Sequence, residues 1–138
     1  MPPFAILGID HVVLRARDPA RLERFYVEVL GCSVARRQDE LGLTQLRAGR
    51  CLIDLLDAAG PLGREGGAPP EREGRNMDHL CLRVEPFNGE ALRAFLAARG
   101  AAPGEVVRRF GAEGEGPSLY LHDPDGNMVE LKGPADGA

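Results

Sequence analysis

Two kinds of spacing run through the chain. Apolar and polar residues alternate over Ile9–Arg15, Leu43–Arg47, Cys51–Leu56, Met77–Arg83, Ser118–His122 and Met128–Leu131, the period of a strand with one buried face. Shorter stretches near Ser33–Arg37 and Glu105–Arg108 read the same way. Helical spacing appears twice. After Asp18-Pro19, a capping residue followed by a proline suited to the first turn, Leu22, Phe25, Tyr26 and Val29 form one apolar stripe that Gly31 ends. A second helix is predicted from about Asn88 to Arg99, stopping at Gly100 and burying Leu92, Phe95 and Leu96. Asp123-Pro124-Asp125-Gly126-Asn127 between two strands is a hairpin signal.

The order of these elements repeats. Ile9-Asp10-His11-Val12-Val13-Leu14-Arg15 matches Met77-Asp78-His79-Leu80-Cys81-Leu82-Arg83, and Leu52-Ile53-Asp54-Leu55 matches Met128-Val129-Glu130-Leu131. Each half therefore reads β-α-β-β-β. The expectation is an α+β fold, one domain over 1–138, with a first module at about 5–56, a Gly/Pro-rich linker at 57–76 and a second module at about 77–132. Two such modules side by side would make a curved mixed sheet with an open, cup-like face. The segment Arg108–Gly116, with four charges and three glycines, reads as a mobile loop that can lie over that cup.

Strand alternation assigns faces. Val12, Leu14, Leu80 and Leu82 belong under the helices, which turns His11, Val13 and Arg15, and His79, Cys81 and Arg83, towards the cup. Asp54 and Glu130 oppose their apolar neighbours in the same way. A lone strand histidine is usually a satisfied core or surface residue. Here a histidine opens and a carboxylate closes each module at matched places, and a buried carboxylate is costly unless paired or metal-bound. That joint pattern suits a divalent metal ion, without choosing among Mn, Fe, Co, Ni or Zn. Tyr120, Ser118 and His122 share a face, and Tyr120 is placed to bond a substrate oxygen. Arg15, Arg83 and Lys132, with Gln45 and Arg47, would give the cup a cationic edge that favours an anionic small molecule; strand-end arginines that simply reach water are the plainer alternative.

Composition narrows the class. A net charge of −4 over 138 residues gives no basic footprint for nucleic acid, and no stretch is long enough to span a membrane. Three cysteines without CxxC spacing argue against a disulfide framework, and a cytoplasmic location is the default expectation. Lys132 is the single lysine.

Asp10-His11, Phe25-Tyr26 with Leu30-Gly31, and Asp123–Asn127 leading to Glu130 resemble the vicinal-oxygen-chelate superfamily, the glyoxalase/bleomycin resistance protein/dioxygenase group, over essentially the whole chain. The resemblance implies metal ligands at His11, His79 and Glu130. It puts Asp54 where glyoxalase-like members carry a longer acid or amide, so Asp54 either reaches the metal through water or acts as a base beside it. Ser118 and Tyr120 fall where thiol-transferase members bind substrate, and Glu130 or Asp54 would move the proton. The implied activity is that of a glyoxalase I-like lyase, isomerase or transferase working on a small oxygenated substrate, in a homodimer. An extradiol-type dioxygenase and a metal-free, drug-sequestering binder are the alternatives.

Overall fold

The computed structural model describes residues 1–137. Its elements are β1 (His11–Ala16), α1 (Pro19–Arg24), a π-helical continuation over Phe25–Val29, β2 (Ser33–Gln38), β3 (Leu43–Ala48) and β4 (Cys51–Asp57), then β5 (His79–Arg83), α2 (Gly89–Ala98), β6 (Val107–Gly111), β7 (Gly114–His122) and β8 (Met128–Lys132). The chain separates into two compact units, Met1–Pro70 and the part from Glu71 onward. Each holds one four-stranded sheet, ordered β1-β4-β3-β2 in the first unit and β5-β8-β7-β6 in the second. In each sheet the opening strand runs parallel to the closing one, and the remaining pairs are antiparallel. The α+β class and the repeated β-α-β-β-β order are therefore those expected from the pattern.

Local chemistry explains the helices. The Asp18 carboxylate accepts from the Arg21 amide at 3.1 Å, and Pro19 occupies the first turn, where its missing N–H costs nothing. After Arg24 the backbone widens by one residue, with the Leu30 amide donating to the Phe25 carbonyl, so Phe25 and Tyr26 both turn inward with Leu22. Gly31, at φ 81°, ends the helix in the left-handed conformation open to glycine. Asn88 caps α2 through the Ala91 amide at 3.0 Å.

Each sheet has an apolar face. In the first unit Leu14, Ala16, Leu46, Ile53 and Leu55 are buried, and register puts Ile53 between Val12 and Leu46, and Leu55 beside Leu14. In the second unit Leu119, Leu121, Val129 and Leu131 form the matching layer, and Leu96 of α2 is fully buried.

Three expectations need correction. Phe95 is 41% exposed instead of buried; the Arg99 guanidinium, one turn on, lies 3.5 Å from its ring centre, so a cation–π contact covers the ring. The strand expected near Glu105–Arg108 starts at Val107. The segment Arg108–Gly116 is not a loop: β6 and β7 pair through Arg109–Gly116 and Gly111–Gly114 into a hairpin that turns at Ala112-Glu113. The glycines that suggested a loop lie inside strands, where they admit a close neighbour (below).

Candidate functional site

The face opposite each apolar layer is built from cross-strand rows, because directly paired residues point the same way. In the second unit one row is Cys81, Glu130 and Tyr120, flanked by His79, Met128 and His122 on one side and by Arg83, Lys132 and Ser118 on the other. In the first unit the equivalent row is Val13, Asp54 and Gln45, with His11, Leu52 and Arg47 beside it.

The Asp123–Asn127 turn fixes where Glu130 begins. Asp123 accepts from the amides of Asp125 and Asn127, both at 2.9 Å, and from the Asn127 side chain at 2.8 Å. Arg75 donates to the Asn127 side chain at 2.9 Å and to the Asp125 carbonyl at 2.7 Å, while Gly126 takes φ 86°. A turn so fully bonded starts β8 in a single register.

Glu130 is buried and richly bonded. His79 Nε2 lies 3.0 Å from its Oε1, and the Ser118 hydroxyl donates to Oε2 at 2.6 Å. The Tyr120 hydroxyl also bonds it, and the His79 and Tyr120 rings meet edge-on with centroids 5.5 Å apart. Burial opposes ionisation of this carboxyl. The Ser118 and Tyr120 hydrogen bonds and the His79 charge outweigh it together, so the Glu130 pKa falls below its ordinary value. Cys81 responds in the opposite direction. Desolvation first, and then the Glu130 charge, push its thiol up to about 11, which leaves it a poor nucleophile although the residue keeps open surface. Tyr120 is likewise raised, mainly by burial, and its hydroxyl accepts from Arg109 Nε at 3.3 Å.

The first unit repeats the frame with a different outcome. Asp54 is 3% exposed; its Oδ2 accepts from the Gln45 amide at 3.1 Å, and its Oδ1 is buried with no hydrogen-bond partner among the described residues. The pKa of His11 is raised, first by its hydrogen bond to Asp10 and, more weakly, by the Asp54 charge.

Both histidines carry a carboxylate on the far side of the ring. Asp10 lies 2.6 Å from His11 Nδ1, and Asp78 lies 2.7 Å from His79 Nδ1. Such a partner orients an imidazole, raises its basicity and leaves Nε2 as the ligating nitrogen. These donors fit a divalent ion. Two ligands bonded to one cation at about 2.1 Å stand roughly 3.0–3.4 Å apart, the spacing found between His79 Nε2 and Glu130 Oε1. The orphaned Asp54 oxygen also calls for a cation or a donor. Among the described residues no three His, Cys, Asp or Glu side chains gather as a metal-ligating group; the second unit by itself offers the His79–Glu130 pair.

The remaining candidate residues are accounted for as follows. Arg15 donates to the Gly63 carbonyl from Nε at 3.2 Å and from a terminal nitrogen at 2.9 Å, to Ala68 at 3.2 Å, and to Gly67. Arg83 bonds Glu113 at 2.7 Å, Glu85 at 2.9 Å and the Val84 carbonyl at 2.7 Å. Both arginines are thus committed within their own units. Their partners are backbone carbonyls and two glutamates, Glu85 close by in sequence and Glu113 thirty residues on. His122 is exposed. The cysteines are free, and no described helix is long and apolar enough to cross a membrane.

Known proteins resemble this chain along most of its length. Virulence protein STM3117 of Salmonella typhimurium (strain LT2) is 32% identical over 124 residues, which cover 89% of this chain and 81% of that protein. Its crystal structure superposes with a TM-score of 0.77 at 28% identity, covering 96% of this chain and all (100%) of the other. Biphenyl-2,3-diol 1,2-dioxygenase 3 of Rhodococcus globerulus is 28% identical over 128 residues; this chain covers 62% of that enzyme's length, and 90% of this chain is matched. TnmS3, an antibiotic-binding protein from Streptomyces sp. CB03234, shares the fold with a TM-score of 0.68 at 24% identity, over 96% of this chain and 99% of its own. The family model for the Glyoxalase/Bleomycin resistance protein/Dioxygenase superfamily matches residues 8–131, and the chain belongs to that superfamily.

Proposed function

We propose that this protein is a metal-dependent enzyme of the glyoxalase I-like type, holding a divalent ion with His11, His79 and Glu130 and acting on a small oxygenated molecule. The observation that carries the reading is the His79 Nε2–Glu130 Oε1 pair at 3.0 Å, with Asp78 behind the imidazole and Ser118 behind the carboxylate. Two structural devices hold one potential ligand pair in place before anything binds. When bound, the ion supplies Lewis acidity that stabilises negative charge developing on a substrate oxygen.

The chain's own groups divide the remaining work. Both Glu130 oxygens already accept hydrogen bonds, which suits a ligand better than a base. Asp54 Oδ1 has no such bond, so it is the stronger candidate to take a proton from carbon next to a carbonyl. In this reading Gln45 orients Asp54, while the Tyr120 hydroxyl, held by Arg109, contacts a substrate oxygen. The ion's identity among Mn, Fe, Co, Ni and Zn follows from supply as much as from these donors. We take the active form to be a homodimer with sites shared between chains, working in the cytoplasm, where three free thiols stay reduced.

The test is metal content. Protein purified without a metal-binding tag is expected to carry close to one ion per chain, and His79→Ala to lose it. Wild type that stays empty when supplied with each of the five metals sinks the enzyme reading and leaves a binder of the kind TnmS3 is named for. Mixing His11→Ala with Glu130→Ala chains is expected to restore binding if the site is shared. A second enzyme reading, ring-cleaving oxygenation, has the dioxygenase relative in its favour and would appear as oxygen uptake with a catechol and Fe(II).

A further inference from the structure

Lys132 is the one lysine of the chain, and the reading above assigns it nothing. It follows Glu130 by two residues on β8, so it shares that residue's face, between Arg83 and Ser118. Only 5% of it is exposed. Its Nζ makes one hydrogen bond among the described residues, to the Gly133 carbonyl at 3.4 Å, beyond the usual range for N–H···O. An ammonium has three donors, and burying it without a counter-charge is costly.

The surroundings make room for this side chain. A methyl group on Gly111 would sit 2.8 Å from both Cδ and Cε of Lys132, and one on Gly116 would meet the Pro134 carbonyl oxygen at 2.4 Å and Nζ at 3.0 Å. Two glycines of the β6–β7 hairpin thus let the lysine lie against the strands. The acids nearby do not pair with it: Glu113 bonds Arg83, and Glu130 bonds His79 and Ser118. The neighbouring cation, Arg83, is fully engaged. Lys132 is therefore a buried positive group on this face with donors to spare, whereas Arg109, on the same face, is exposed and bonds Tyr120.

We propose that the Lys132 ammonium anchors the acidic group, a carboxylate or phosphonate, of a small organic acid whose other oxygens lie towards Glu130. The inference rests on the functional reading only in taking this face as the binding face. Strand geometry adds a size limit. Two residues of strand separate the Cα atoms of Glu130 and Lys132 by about 6.6 Å, so the ligand carries its acid a few bonds from its other oxygens.

A single lysine gives a clean probe. Protein labelled with 13C-lysine shows one Cε resonance, which we would follow while titrating D,L-lactate and methylphosphonate against neutral lactamide, at constant ionic strength. The expected result is a saturable shift with at least one acid and none with lactamide. In Lys132→Met, an unbranched apolar replacement one atom shorter, affinity for that acid should fall at least about tenfold, the loss of one charge-assisted bond. Movement with lactamide equal to that with the acids, a shift that never saturates, or unchanged affinity in Lys132→Met overturns the proposal. The two acids separate carboxylate from phosphonate recognition. Metal content, measured on the same samples, keeps the outcomes apart: a full metal complement with a silent lysine defeats the anchor alone, and a responsive lysine in protein that never takes metal defeats the enzyme reading alone.

Discussion

The two units place a carboxylate at the same point of the same sheet, and only one of them satisfies it. Glu130 reaches His79 and is braced by Ser118 and Tyr120. Asp54 has Gln45 where the second unit has Tyr120, and Leu43 where it has Ser118. With one methylene fewer and one donor fewer, Asp54 is bonded by Gln45 alone among the described residues and keeps a bare oxygen in a buried place. Duplication preserved the positions and let the chemistry diverge. One half is organised before a ligand arrives; the other is left needing one.

The most severe way to break this asymmetry is Glu130→Asp, which gives the second unit the first unit's shorter acid. The His79 contact should be lost and metal affinity should fall by about 100-fold, as when a ligand and its support go together; calorimetric titration with Zn or Mn measures it. Unchanged affinity would mean the braced pair is not a ligand pair. Next is Ser118→Ala. It strips a 2.6 Å bond from a buried, ionised carboxylate and should cost about 2 kcal/mol in metal-free urea unfolding.

Asp54→Asn works in the opposite sense. Removing a buried charge that has an unsatisfied oxygen should stabilise the metal-free protein by about 1 kcal/mol, while a functional role for that oxygen would show as lost activity. A drop in stability would show that Asp54 is already paired. The smallest effect calibrates the others. Glu23 receives two bonds from Arg37, at 2.6 and 2.8 Å, and these hold its carboxyl below its ordinary pKa. Because the folded pKa is depressed, the pair's contribution is present above the usual carboxylate range and is lost as pH falls through the folded pKa. Glu23→Gln should therefore cost up to about 1 kcal/mol near neutrality, and its unfolding curve should merge with wild type in acid.

Much of this was readable in the chain itself. Repeated Asp-His pairs and acid-closing strands are local signals with period two, and they gave both sheets and the matched positions. The readings that failed depended on particular side-chain contacts, which periodicity does not encode. Gly111 and Gly116 look like loop residues until the lysine beside them is seen, and Phe95 looks like core until Arg99 covers it. Arg15 and Arg83 carry the sequence signature of ligand-facing cations, yet carbonyls at 63, 67 and 68, and acids at 85 and 113, take up their donors. The burial of Lys132 was equally hidden, since its alternation with Leu131 describes direction and says nothing of depth.

The Arg15 contacts have a consequence for how the chain can be cut. A protease must draw an extended stretch of backbone into its cleft, and the carbonyls around Arg64 are fastened to β1 by one guanidinium. Arg72, exposed and outside that fastening, offers the easier scissile bond. Trypsin should thus nick native protein after Arg72 before Arg64, and neutralising residue 15 as Arg15→Gln should open the second cleavage.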